Sequence, residues 1–464
     1  MTFSFDTTYK ELDSELYSRV TPKSIAHPEI VVRNNELCAD LGLDTAKLDA
    51  KMLAGQDRLE EPIAQAYAGH QYGSFTVLGD GRAMILGEHV YDGSRYDIQL
   101  KGSGRTPYSG RGDGNATVSS MLREYLYSYA MRNLHIKTSR SLAVIETDDV
   151  VNRRRTEPGA VLVRVMNSHI RYGTFQYVAA RASDKLQQFT DYVIDRHYPQ
   201  LQEKDRPYVE FFDAVIQSAI EMVVDWLRVG FVHGVMNTDN MSIDGETFDY
   251  GPCAFMNYYD EEMVFSSIDK HGRYAFGNQR PILRWNLERF AEALQPLCTQ
   301  SALTYDELEA KLDEFEARFD AQYYSMMRKK LGISSDGEKE LVDEFLKWLR
   351  KSNADYTNTF LELAAPKTFD DPVFTTAEFE QLRDKLAAVG LNEELMQEVN
   401  PRYIPRNYLV EESLDKYLET GKLSKFKRLL TVLETPYTAK DMGSQFQQPP
   451  PREFDAEYTT YCNT

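Results

Sequence analysis

The hydrophobic period of this chain changes part-way along, and that change limits the folds open to it more than any other feature. Between Gln71 and Lys101 apolar residues come in short runs broken by glycine: Ser74-Phe-Thr-Val-Leu78, the stretch Gly79-Asp80-Gly81-Arg82, and Ala83-Met-Ile-Leu86. Runs this short read as strands, with the glycine stretch as a tight loop between two of them. From Tyr96 to Lys101 the apolar Tyr96, Ile98 and Leu100 alternate with Asp97, Gln99 and Lys101, so a strand here turns Lys101 away from its apolar face. After a second glycine-rich stretch, Gly102 to Gly114, apolar residues at 118, 121, 122, 125, 126, 129 and 130 follow the helical period. Ala160-Val-Leu-Val-Arg-Val165 reads as a further strand, and 208–230 as a long helix stopped at Gly230. Strands followed by helices give an α+β chain, with a small β-rich lobe leading into a larger helical one.

Its 464 residues suit two to four domains or one two-lobed unit with extensions. With 42% hydrophobic and 27% charged residues the composition is globular. A net charge of −19 excludes a broad nucleic-acid footprint, which needs clustered Lys and Arg, and leaves room only for a local basic pocket. No run of about 18 apolar residues occurs, and Met1-Thr-Phe-Ser-Phe-Asp lacks the basic and apolar regions of a signal peptide. The expectation is no membrane and the cytoplasm. Cys38, Cys253, Cys298 and Cys462 show neither a disulfide framework nor zinc spacing; Cys462, on a polar tail, is the thiol expected to be accessible.

No internal repeat or low-complexity linker marks the boundaries, which follow the pattern changes. They fall at 1–60, a helical lead-in; 61–155, the β-rich lobe; 156–300, the helical lobe; and 301–464, an acidic helical region with an extended tail beyond Gln447-Gln-Pro-Pro-Pro.

The chemistry concentrates in Phe231-Val-His233-Gly-Val235-Met-Asn237-Thr-Asp239-Asn240, followed by Asp249-Tyr250-Gly251. This order resembles the catalytic and metal loops of the kinase superfamily. There a His-led loop carries a catalytic Asp, an Asn five residues later holds metal, and an Asp-Phe-Gly turn holds a second metal contact. Asn240 and Asp249 take the two metal positions, and their oxygens suit a hard cation such as Mg²⁺ or Mn²⁺. Five residues before Asn240 stands Val235, so the ordinary kinase base is missing, and Asp239 is the neighbouring acid able to take that role. Asn-Thr-Asp-Asn and Asp-Gly are also turn strings; their joint order carries the inference.

For phosphate the candidates are Gly79, Gly81 and Arg82, then Lys101, Asp113, Gly114, Arg164 and Arg171. Glycines let backbone N–H groups approach phosphate oxygens, and Arg and Lys add charge-assisted hydrogen bonds. Each alone equally suits a hairpin turn or a solvated side chain. Kinases pair their strand lysine with a helix glutamate, and Glu124 is the candidate partner of Lys101. Periodicity puts Glu124 nearly opposite the apolar stripe of its helix, where a glutamate would be solvated.

Several strings together resemble the selenoprotein O family: Ala66-Tyr-Ala-Gly-His-Gln-Tyr-Gly73, Leu78-Gly-Asp-Gly-Arg-Ala83, Gln99-Leu-Lys-Gly-Ser-Gly-Arg-Thr-Pro-Tyr-Ser109, Ser168-His-Ile-Arg-Tyr-Gly-Thr-Phe175, His233 to Ile243, and Asn400-Pro-Arg-Tyr-Ile-Pro-Arg-Asn407. The resemblance implies a protein-kinase-like, two-lobed pseudokinase fold, with 61–155 and 156–300 as the lobes and helical extensions at both ends. It implies transfer of AMP from ATP to Ser, Thr or Tyr hydroxyls of proteins, the nucleotide lying flipped. By the same resemblance Lys101 and Glu124 form the ion pair, and Gly79, Gly81, Arg82, Asp113, Gly114, Arg164, Arg171 and Asp249 line the nucleotide. Asp239 takes the proton, and Asn240 and Asp249 hold the metal. The partners implied are protein substrates, with the enzyme a monomer.

Where many relatives read Ser-Arg-Gly-Gly-Asp-Gly-Arg, this chain has Ser109-Gly-Arg-Gly-Asp-Gly-Asn115. Cys462 stands for the cysteine or selenocysteine tail of the family, which implies a redox-controlled disulfide with Cys253 or another thiol. The rival readings are a phosphotransferase, which would need the base that Val235 does not supply, and a nucleotide-binding scaffold without turnover.

Overall fold

A computed structural model of the chain describes residues 2–57, 60–335, 337–440 and 443–461. Its strands are β1 Tyr17–Arg19, β2 Glu29–Arg33, β3 Ile63–Gln71, β4 Ser74–Gly79, β5 Ala83–Tyr91, β6 Ser94–Lys101, β7 Ala116–Thr117, β8 Arg140–Asn152 and β9 Thr156–Met166. Among the described residues these form one antiparallel sheet in the order β1-β3-β5-β6-β9-β8-β2, with β4 on β3 and β7 on β9. Helices α1 Asn35–Asp40 and α2 Ala50–Leu53 precede β3; α3 Val118–Asn133 separates β7 from β8. After β9 come α4 Tyr172–Arg181, α5 Leu186–His197, α6 Pro207–Val229, the short pair β10 Phe231–Val232 and β11 Ala254–Phe255, and α7 Gln279–Leu294. Further helices occupy most of the chain to Glu457. The fold is α+β.

Alternation decides what each face of the sheet meets. Ala64, Met84, Leu86, Ile98, Leu100, Val163 and Val165 point to one side and pack with Leu37, Cys38, Leu41 and Leu53 of α1, α2 and their links. Ile63, Ile85, Val144 and Leu162 point to the other and pack against Met121, Leu122, Tyr125 and Leu126 of α3. That second cluster is continuous with the apolar face of α6 and with the C-terminal helices. Lys101, one residue beyond Leu100, is therefore delivered to the α3 side.

Three local expectations change. The lead-in is not helical throughout: Glu29–Arg33 is a strand paired with β8, because Pro28 interrupts any helix and the β-branched Ile-Val-Val that follows fits a pleated surface. Gly79-Asp80-Gly81-Arg82 does not fold β4 back on β5. Strand β4 pairs with β3 through Ala66↔Gly79 to Gln71↔Ser74, and β5 pairs with β6, so the glycine stretch is a crossing link. The tail is not free, since its carbonyls at Gln447, Gln448 and Pro450 accept hydrogen bonds from Asn358, Tyr408 and Tyr258. A short helix follows at Arg452–Glu457, and Thr460 bonds to the Pro252 carbonyl. Cys462 lies outside the described residues.

Candidate active site

The site begins where β6, β9 and α3 meet. Register places Gln99 beside Arg164 and Lys101 beside Leu162, so the polar face of β6 and Arg164 of β9 look together toward α3. Helix α3 is buried nearly all round, with Arg123 and Glu124 buried along with its apolar stripe. Glu124 is thus not solvated, contrary to its periodicity. It accepts a 2.7 Å hydrogen bond from Lys101 and a 2.9 Å bond from Arg164 Nε. Arg164 also donates to Gln99 at 3.1 Å.

Asp249 completes this cluster. Its backbone is left-handed, with φ 65°, and its carboxylate is ion-paired with Lys101 and lies 3.1 Å from Arg164. Burial alone would raise its pKa, but Lys101, Arg164 and Arg82 outweigh it and hold the carboxyl well below the usual range. The same contest, burial against Arg164 and Lys101, leaves Glu124 lowered. Both acids are ionised across the physiological range, and Asp249 keeps a 33% exposed side chain open to a ligand.

A second cluster surrounds Asp239, in the single turn Thr238–Asn240. Arg171, at the start of α4, donates to the Asp239 carbonyl at 3.2 Å. The guanidinium lies 4.2 Å from the Tyr67 ring and 5.0 Å from the Phe248 ring, and 3.8 Å from the buried Asp80. The Asp239 side chain presses against Gly69 of β3, where a Cβ would overlap its carboxylate. Its Oδ1 is buried without a protein hydrogen-bond partner among the described residues. Burial, only partly offset by Arg171, lifts the carboxyl to about 6.

Between the clusters, Asn240 donates its amide to the Val235 carbonyl at 3.0 Å, which leaves the amide oxygen as the end able to bind a cation. His233 links the two segments: its Nε2 meets the Phe248 carbonyl at 3.0 Å and its ring stacks on Trp226 at 5.2 Å. Among the described residues no three His, Cys, Asp or Glu gather into a self-sufficient metal cage. An amide oxygen and one ionised carboxylate are donors of the kind that fits Mg²⁺ completed by phosphate and water.

The two glycine stretches pack on each other. The Tyr108 ring covers Gly79 so closely that a Cβ would overlap it, Ser109 donates to the Gly81 carbonyl, and Thr106 donates to the Asp80 carbonyl at 2.6 Å. Arg82 reaches the field of Asp249. Gly114, with φ 74°, abuts the Gly104 carbonyl. Asp113 stands apart from the Lys101 cluster: its carboxylate is exposed and doubly bonded to Arg153 at 2.7 and 3.1 Å, a pairing that lowers it to about 2. The sequence reading missed Tyr67, Gly69, Asp80, Gln99 and Phe248. Tyr67, Gly69, Asp80 and Gln99 lie within the strings that resemble the family, and Gln99 also shares the face of Lys101.

A family model described as "Protein adenylyltransferase SelO" matches residues 1–434. The chain belongs to the SelO family. It is 44% identical to a protein nucleotidyltransferase YdiU of Nitrosococcus oceani, over 99% of this chain and 97% of that one. It is likewise 44% identical to the YdiU protein of Alkaliphilus metalliredigens, over 100% and 98%, and 42% identical to that of Pelagibacter ubique, over 99% of each. Membership in SelO makes the chain an enzyme of nucleotidyl transfer, a protein adenylyltransferase. As an adenylyltransferase it uses ATP as substrate. Among the described residues no helix is long and apolar enough to cross a membrane.

Proposed function

We propose that this enzyme transfers AMP from ATP to Ser, Thr or Tyr hydroxyls of proteins, with Asp239 as proton acceptor. The reading is supported above all by the Asp239 carboxylate, which is buried, has an unpartnered oxygen and is lifted to about 6. A structural carboxylate in such a place would be paired, whereas a general base works best with a pKa near the working pH. The hydroxyl oxygen bonds to the α-phosphorus, its proton passes to Asp239, and the bond from that phosphorus to the bridging oxygen breaks to release pyrophosphate.

Arg82, Lys101, Arg164 and Arg171 supply the cationic groups for the phosphates, and Gly79, Gly81 and Gly114 the close backbone approach. Glu124 orients Lys101 and Arg164 through the hydrogen bonds it accepts from them. Asp113 would join the nucleotide site only by leaving Arg153. Asn240 and Asp249 would hold Mg²⁺ or Mn²⁺, which when bound neutralises polyphosphate charge and polarises the reacting phosphoryl group. A kinase-like arrangement is supported by the strand lysine and helix glutamate, the His233-led loop and Asp249 before Tyr250-Gly251. In that frame 61–155 and 156–300 are the lobes, with β9 of the second range lying in the sheet of the first, and 1–60 and 301–464 the extensions. The enzyme works as a cytoplasmic monomer that binds neither nucleic acid nor membrane.

The test is ATP labelled on the α-phosphate, incubated with Mg²⁺ and a protein acceptor, wild type beside Asp249→Ala. Label fixed on protein by wild type alone, at the mass added by AMP, is the expected result. Label transferred only from the γ-phosphate would replace this reading with phosphotransfer.

A further inference from the structure

Hairpin β3–β4 turns through Tyr72 and Gly73, both left-handed at φ 49° and 88°, as a two-residue loop of right-handed twist requires. A bulky residue at such a φ is strained, and here it is tied to the catalytic turn. The Tyr72 amide donates to Asn237 Oδ1 at 3.1 Å, the Tyr274 hydroxyl donates to the same oxygen at 2.5 Å, and the two tyrosine rings meet edge to face at 5.2 Å. Next to it the His70 amide donates to Thr238 at 2.8 Å. The hairpin tip is thereby fixed two residues from Asp239.

Four of the six large apolar side chains exposed among the described residues lie around this tip: Tyr72, Phe75 and Val77 on the hairpin, and Ile268, 53% exposed, across from it. Between tip and loop is a recess of about 480 Å³ whose walls include Tyr72, Ile268, Lys270, His271 and Arg273. Of its three charged side chains, Lys270 and Arg273 are cationic and Asp269 is acidic. The Asp269 carboxylate is turned inward to the Arg273 and Tyr274 amides at 2.9 and 2.7 Å. Lys270 is exposed and Arg273 partly so; the Arg273 guanidinium lies 4.7 Å from the Trp285 ring, and its Nε and one terminal nitrogen are buried without a hydrogen-bond partner among the described residues. In a chain of net charge −19, Lys270 and Arg273 beside Tyr72 and Ile268 form a surface complementary to an acidic segment with apolar side chains.

We propose that this recess docks an acidic stretch of the protein substrate flanking the hydroxyl to be modified, so that the enzyme selects hydroxyls with Asp or Glu nearby. The inference rests on Asp239 facing that hydroxyl, and the segment would leave the recess past Tyr72 and Asn237 toward it.

The test measures two fluorescein-labelled serine peptides, one flanked by Asp, Glu and Tyr and one with Lys replacing the acids, against the full chain at low salt. Fluorescence anisotropy follows binding, and α-labelled ATP follows transfer in parallel. Wild type should bind the acidic peptide roughly tenfold tighter than the basic one, and Lys270→Glu, a change at an exposed side chain, should remove most of that preference while ATP affinity stays unchanged. Arg273→Glu should act in the same direction, with Arg273→Lys restoring the preference. Equal affinity of wild type for the two peptides would overturn the docking inference even if both accept AMP. Low-salt self-association of wild type that Lys270→Glu disperses, without peptide preference, would assign the recess to a second copy and equally overturn it. Acidic peptide bound as expected, with label moving only from the γ-phosphate, would leave the recess standing and remove adenylyl transfer.

Discussion

At Asp239 burial outweighs the nearby cation. With a folded pKa of about 6 against an ordinary 3.8, the carboxyl binds more protons folded than unfolded between those values. The stability it contributes is complete below the unfolded pKa and is lost as pH rises through about 6. At pH 8 the ionised carboxylate weakens the fold, so Asp239→Asn should raise urea stability there by on the order of 1–3 kcal/mol and have little effect near pH 4. The same substitution should abolish transfer. In wild type, kcat/KM should fall as pH drops through about 6, because the base must be unprotonated to act; a flat profile over that range would remove Asp239 from the role. Lys101 sits in the opposite situation, with its ammonium held by Glu124 and Asp249. Lys101→Met should leave those acids to Arg164 and Arg82, weakening ATP binding by roughly tenfold or more, as isothermal titration would show.

At the scale of elements, two glycines separate function from folding. In β3, the atoms nearest a methyl at Gly69 would be side-chain atoms of Asp239, its carboxylate and Cβ, with no backbone atom closer. Gly69→Ala should therefore lower kcat by about a hundredfold through misplacement of the base, with a small change in melting temperature. At Gly173, in α4, the methyl would run into the Ala68 backbone carbonyl. Gly173→Ala should force β3 and α4 apart and destabilise the protein by about 3 kcal/mol or more, read from urea unfolding. Alternation and helical period made both elements around Lys101 legible, and they placed that residue on the right face. They could not place Glu124, since a period describes one buried face and α3 is enclosed by the sheet, the C-terminal helices and the loop from Asp249.

For the whole molecule, the C-terminal region is bound in through Arg406. It is 1% exposed and donates to Asp355 at 2.8 and 3.2 Å, to Asn257 at 2.7 Å and to Asn358 at 3.2 Å. Asn407 beside it bonds to the Phe255 amide and carbonyl of β11. Truncating one partner leaves the other buried and unpaired, so Arg406→Ala should cost about 3–5 kcal/mol, measured as a lower urea midpoint. Because Asn257 and β11 follow directly from the Asp249 loop, that variant should also weaken nucleotide binding, whereas an exposed change such as Lys385→Ala should alter neither.

The sequence by itself determined the α+β class and the strand, lysine and helix order, because these depend on local period and short spacing. Motif strings alone also disclosed the family. Tertiary structure alone decided that Gly79 to Arg82 is a crossing link, that Glu124 is buried against Lys101 and Arg164, and that the lead-in gives an edge strand to the sheet. It also decided that Asp239 sits against Gly69 with an unpartnered oxygen. Strand pairing, burial on a second face and the loss of a hydrogen-bond partner are each set by residues distant in the chain, and no local pattern records them.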